Sequence, residues 1–240
     1  MSKGIEINHL SVKLEIIYED EFLIICNKAS GLHSISLPSS EKPTKSIAQL
    51  VSKQYPTLRA LGDESGLLQR LDFETSGCLL IARSESVFNE LKKQIKDHAV
   101  TKEYLFLADS IPPELTNGQD LEAIHYLGSR YRRSKKTSVS DSTQPRFQLA
   151  KTTFSLEKIL NDIFLLRAKT NYGRRHQIRA QASRLGMPLL GDSLYGSKKE
   201  PPSSCPAFTL HAESISFTHP ISNKKLKICA ELPKYLESLL

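Results

Sequence analysis

Apolar residues in this chain come in short bursts, and most bursts are too short for a helix. Residues 14–18 and 22–27 flank the acidic turn Glu19-Asp20-Glu21, the pattern of a strand pair. A Ser/Pro/Lys loop over 39–45 precedes a helix running to about Tyr55, with Thr44 or Ser46 placed to cap it. The run GCLLIA at 77–82 reads as a short buried strand. Ser84 with Val87, Phe88, Leu91 and Ile95 predicts a capped amphipathic helix that turns Lys92, Lys93 and Lys96 outward. Residues 100–108 read as a strand, and 115–119 and 134–146 as polar, mobile connections. Strands at 152–158 and 163–170 pair around Asn161-Asp162. A helix is predicted over 175–184, with Ile178, Ala182 and Leu185 as its buried stripe, Arg175 and Arg179 together on another face, and Gly186 as its stop. Late strands at 207–218 and 224–231 and a helix over 233–240 close the chain. Strands outnumber helices and seldom alternate with them, which predicts an α+β fold: a single domain over 1–240 around a mixed, largely antiparallel sheet flanked by helices and loops.

Charge sharpens the picture. The 240 residues carry a formal charge of +7, yet between Ala123 and Gly191 there are 14 Lys and Arg against three acids, so the rest of the chain is net acidic. One concentration holds Arg130, Arg132, Arg133, Lys135 and Lys136; a second holds Arg167, Lys169, Arg174, Arg175, Arg179 and Arg184. A basic run is ordinarily a solvated face, but two in one acid-poor segment point to a polyanion partner bound by counterion release. No apolar run spans a bilayer and no signal-peptide core opens the chain, which predicts a soluble cytoplasmic protein. The four cysteines are scattered without metal-ligand spacing, and Cys26, Cys78 and Cys229 sit in apolar runs, so small buried hydrophobes in a reducing compartment are expected and a zinc site is not.

Three segments carry candidate chemistry. The first, LQRLDFETSG at 68–77, places Asp72 just before a buried strand, where an Asp commonly serves as a turn former. The second, TKEYL at 101–105, puts Tyr104 near a strand start; a Tyr on a packed face is the commoner arrangement. The third, NYGRRHQIR at 171–179, sets Gly173, Arg174, Arg175 and His176 around a helix N-terminus, a natural phosphate site. Tying loops together is an equal use for His176 and Gln177. Asp72 and Glu74 would face opposite ways on an extended segment, and the basic third has almost no acids, which argues against a glycosidase or nuclease built on paired carboxylates and against a metal nuclease.

Together, RLDFETSG, KEY, GRRHQIR with GMPLLGDSLYG, LHAESISFTHP at 210–220 and NKASGL at 27–32 resemble, in order, the motifs of the RluA-type pseudouridine synthases. The motif-bearing stretch runs from about 18 to 231. The resemblance implies an enzyme that isomerises chosen uridines in transfer or ribosomal RNA on a flipped-out nucleotide, with no cofactor and no metal. By resemblance Asp72 is the catalytic carboxylate, Tyr104 the active-site tyrosine and Arg179 the basic partner of the Asp. Arg70 would help hold RNA around the extruded nucleotide. Gln69, Ala29 and Arg175 depart from the usual His, Pro and Thr or Ser, which bears on the choice of RNA. No small S4-like RNA-binding domain is expected before the core, which leans toward transfer RNA or short stem-loops, and a monomer is the default. The rival is an RNA-binding or RNA-folding protein on the same fold without chemistry.

Overall fold

A computed structural model describes residues 13–36, 45–129, 131, 134–203, 205 and 207–238. In chain order the elements are β1 (Glu15–Glu19), β2 (Leu23–Lys28), α1 (Ile47–Gln54), β3 (Ser76–Ala82), α2 (Glu85–Lys96), β4 (Thr101–Ala108), α3 (Pro113–Thr116), β5 (Leu121–Gly128), β6 (Ser138–Ser140), β7 (Gln148–Leu160), β8 (Ile163–Thr170), α4 (Gln177–Arg184), β9 (His211–Thr218), β10 (Lys225–Cys229) and α5 (Lys234–Glu237). Single 3-10 turns lie at Pro56–Leu61 and Ser193–Tyr195.

Among the described residues ten strands form one sheet in the order β1-β2-β3-β9-β4-β8-β7-β5-β6, with β10 beside the later part of β9. Every pairing is antiparallel except β3 with β9. The fold is α+β, with the largely antiparallel sheet that the strand-rich pattern predicts. β3 is buried along its whole length because both faces are covered. Leu23, Ile25 and Leu80 pack on α2 through Val87 and Leu91, while Ile24, Leu79 and Ile81 pack on α1 through Ile47 and Val51. A second core lies under α4, where Ile178 and Ala182 meet Phe106, Phe154 and Leu166.

The join between the two halves is the short parallel contact of β3 with β9, Ser76 opposite His211 and Gly77 opposite Ala212. Gly77 has φ +113°, and a Cβ there would lie 2.2 Å from the Ala212 carbonyl oxygen, so only glycine lets these strands meet. The same contact brings the loop before β3, the start of β4 and the N-terminus of α4 to one place.

Several expectations change. The helix predicted from 175 begins at Gln177, because His176 takes a left-handed conformation (φ 51°) that no helix continues through. Arg175 is therefore off the helix and does not share a face with Arg179. Gly186, at φ 80°, does end that helix, with the Met187 amide donating to the Ala182 carbonyl. Ser46 caps α1 through the Gln49 amide; Thr44, the other candidate, lies outside the described residues. The 115–119 connection contains the end of α3, with Leu115 fully buried, and the 134–146 connection contains β6, paired with the end of β5. Cys229 is exposed, because it shares the open face of β10 with Lys225 and Lys227, whereas Cys205, outside any apolar run, is buried beside Tyr235 and Leu236. None of the helices of the described residues is long and apolar enough to cross a membrane.

Candidate active site

Asp72 stands on the loop that feeds β3, and the backbone on either side of it is pinned by the NKASGL segment and Ser34 just beyond it. Ser34 Oγ both accepts from the Leu71 amide and donates to the Leu71 carbonyl, each at 2.9 Å. The Gly31 amide donates to Phe73 O at 2.9 Å, and Ser30 Oγ donates to Glu74 O. Lys28 is fully buried and its ammonium donates to Ala29 O (3.1 Å), Leu32 O (2.7 Å) and Phe73 O (3.1 Å). Burial brings its pKa down to about 8, against the pull of Glu74 and Asp72. The Thr75 amide closes a turn on Asp72 O, so the segment is bent rather than extended, and Glu74 is not among the residues lining the cavity with Asp72.

The carboxylate of Asp72 is held from the opposite wall. Arg179, in the first turn of α4, donates Nη1 to Asp72 Oδ2 at 3.2 Å, and turns Nε and Nη2 onto Asp192 at 2.6 and 2.9 Å. Its guanidinium also lies over the rings of Phe208 and Tyr195, 4.1 and 5.1 Å from their centroids. Burial alone would depress the Arg179 pKa; the hydrogen bonds and charge of Asp192, then Asp72, overcome that and raise it. The two carboxylates differ in access: the Asp192 side chain is 1 % exposed and that of Asp72 is 28 %. Asp192 is a buried anchor, and Asp72 is the carboxylate a ligand can reach.

His176 stands 3.8 Å from Asp72 through Nε2 and 3.0 Å from the Tyr195 hydroxyl through Nδ1. Burial pushes its pKa down to about 4, with Asp72 opposing and Arg179 and Arg175 reinforcing, so the ring is neutral at neutral pH. The Tyr195 oxygen accepts from the Thr137 amide at 2.8 Å, and its proton has two acceptors in reach, His176 Nδ1 and the Thr137 carbonyl at 3.4 Å. Tyr104 lines the same cavity, opposite an extra residue in β9, since Glu103 pairs with Ser214 and Leu105 with His211. Burial above all, then the charge of Asp72, raises its pKa, so it is a neutral phenol.

The remaining expected residues divide. Arg70 is exposed and lines a cavity of about 640 Å³ together with Asp72, Tyr104, Arg174, Arg175 and His176. Arg174 donates Nε to Leu149 O at 3.0 Å, with its guanidinium 5.9 Å from the centre of the Tyr172 ring. Gln177 is buried, and its amide is used within the protein: it accepts from the Arg174 amide and donates to Lys151 O, Thr152 Oγ1 and Thr170 Oγ1. It ties loops together, the alternative left open for it. Arg175 spends its exposed guanidinium on Ser134 O and Lys135 O, at 2.9 and 2.8 Å. Arg130, Arg132 and Arg133 lie outside the described residues. Asp192, Tyr195 and Lys28 carry roles not assigned from sequence, although all three stand inside quoted motifs. Among the described residues no group of three or more His, Cys, Asp or Glu is placed to hold a metal ion.

A carboxylate reachable from a nucleotide-sized cavity and locked to a buried arginine, on an α+β sheet joined through a TSG glycine, defines the class. The sequence model of the RNA pseudouridylate synthase family matches residues 22–184, and the chain belongs to that family. It is 34% identical over 223 residues to the ribosomal large subunit pseudouridine synthase C of Rickettsia typhi, covering 92% of this chain and 68% of that protein. It is 30% identical over 237 residues to the ribosomal large subunit pseudouridine synthase D of Zymomonas mobilis, covering 95% and 72%. The solved structure of human RNA Pseudouridylate Synthase Domain Containing 1 has the same fold, with TM-score 0.70 at 22% identity over 92% of this chain and 84% of that one. The chain is thus an isomerase of the class that converts uridine in RNA to pseudouridine.

Proposed function

We propose that this protein isomerises uridines of a structured RNA at the cavity above Asp72, with large-subunit ribosomal RNA as the first substrate to try and transfer RNA as the second. The observation that carries the reading is the Asp72–Arg179–Asp192 chain: one carboxylate open to the cavity, kept oriented by a guanidinium that a second, buried carboxylate fixes. The names of the ribosomal relatives support the choice of RNA. A uridine turned out of its stack would enter beside Tyr104. Ionised Asp72 either attacks C1′ or abstracts the 2′ proton, so that the C1′–N1 bond breaks. Uracil then turns and C5 bonds to C1′, which displaces the Asp72 oxygen on the first route and is accompanied by return of the proton to C2′ on the second; the C5 proton leaves and N1 ends protonated. Arg179 keeps Asp72 aimed; the neutral Tyr104 bounds the base, and its hydroxyl is a candidate to handle the departing proton. Arg70 and Arg174 at the cavity rim hold the strand. The test is to incubate unmodified transcripts of both RNAs with the protein and map carbodiimide adducts by reverse transcription. New stops at one or a few uridines are expected; no stops in either RNA would overturn the reading.

A further inference from the structure

β4 presents Lys102 and Tyr104 on one face and Glu103 on the other. Glu103 is satisfied on its side by Lys227, Arg167 and Ser214. Lys102 is different. Its side chain points into the cavity that holds Asp72, it is only 6% exposed, and among the described residues no acceptor lies within hydrogen-bond or ion-pair reach of its ammonium. The ammonium rests against the backbone of Gly173, so near that a Cβ there would lie 3.1 Å away.

The groups around it make the lack of a partner more pointed. Tyr104 lies two residues on along β4, Asp72 and Arg70 face it from the loop before β3, and Arg174, Arg175 and His176 from the segment between β8 and α4. Its register partners are Thr170 on β8 and Ile215 on β9. Four cations therefore line one cavity with a single carboxylate, and that carboxylate is engaged by Arg179. An ammonium largely withdrawn from bulk water, open only to the cavity and set beside a guanidinium, favours an anion that reaches it there. RNA brings one anion per nucleotide.

We infer that Lys102, at the cavity wall between β4 and Gly173, binds a backbone phosphate of the RNA strand that carries the target uridine. This rests on reading the cavity as the uridine pocket. Burial first, and Arg174 second, bring the Lys102 pKa down to about 8 in the free protein. A phosphate against the ammonium raises it again, so binding draws in a proton and weakens as pH rises through about 8.

The experiment measures binding of an unmodified large-subunit ribosomal RNA transcript to wild type, Lys102→Met and Gly173→Ala, across salt concentrations and from pH 7 to 9, alongside melting temperature and pseudouridine formation. For Lys102→Met the expected results are affinity down about five- to tenfold and a log K against log salt slope shallower by about 0.7–0.9. Its affinity should also lose the wild type's pH dependence near 8, with no fall in melting temperature. Gly173→Ala, whose Cβ would push on the ammonium, should move affinity the same way by less. An unaltered salt slope and pH dependence in Lys102→Met, or a lowered melting temperature with the slope unchanged, would overturn the inference while leaving a wild type that still makes pseudouridine. A wild type that neither binds nor reacts would overturn the functional reading and this inference with it.

Discussion

Two lysines stand within the walls of this site, and they have opposite surroundings. Lys28 and Lys102 are both nearly or fully buried, and in both, burial brings the pKa down to about 8. Lys28 gives its three protons to three carbonyl oxygens, two on its own loop (Ala29, Leu32) and one beside Asp72 (Phe73). Lys102 faces a cavity rich in other cations and has no acceptor among the described residues. A buried charge whose donors are all used holds structure in place; one whose donors are unused is complete only with a ligand. The same division separates the arginines. Arg179 spends its guanidinium on Asp72 and Asp192, and Arg175 on two backbone carbonyls, whereas Arg70 lies exposed at the cavity rim.

The largest effect is expected from Lys28→Met. It would leave three carbonyls, those of Ala29, Leu32 and Phe73, without their donor, at a cost of about 3 kcal/mol, or roughly 6–12 °C in a chain of this size. A thermal melt checks it; a Lys28→Met protein as stable as wild type would put the two lysines in one class. Tyr195→Phe is a milder probe of the pre-satisfied wall. It removes the acceptor for the Thr137 amide and the partner of His176 Nδ1. The expected loss is about 1–2 kcal/mol by denaturant titration, with turnover reduced several-fold and RNA affinity unchanged.

A pH series sharpens the contrast with a smaller effect. The folded pKa of each lysine lies below its unfolded value, so between pH 7 and 9 the unfolded chain holds more protons and stability rises with pH, by about 1 kcal/mol per lysine. From about pH 8.5 upward Cys26 and Cys78, whose thiols burial pushes up to about 12, work in the opposite direction. Urea denaturation at pH 7 and 9 should show a net rise in wild type and a rise smaller by about 1 kcal/mol in Lys102→Met. An equal rise in both proteins would show that Lys102 does not titrate as a buried group.

Much of the scaffold could be read from the chain because its signals are local. Alternation and capping placed β2, β3, α2 and the end of α4 close to where they lie, and the motif order placed Asp72, Tyr104 and Arg179 around one cavity. What escaped depends on contacts distant in sequence. His176 is left-handed, with its ring between Asp72 and Tyr195, and the helix is two residues shorter for it. Lys28 and Lys102 read as ordinary polar ends of strands, since alternation does not say which face a second layer will cover. Asp192, in a Gly-Asp-Ser run, looks like a turn residue until Arg179 is brought against it from α4.

The most direct test of the account uses RNA labelled with tritium at uracil C5 and free of prior modification, mixed with wild type or with Asp72→Asn. Wild type is expected to release tritium to water, and Asp72→Asn to release none while binding the same RNA with similar affinity. Release by Asp72→Asn at the wild-type rate would contradict the assignment of Asp72 and, with it, the reading of the cavity above it.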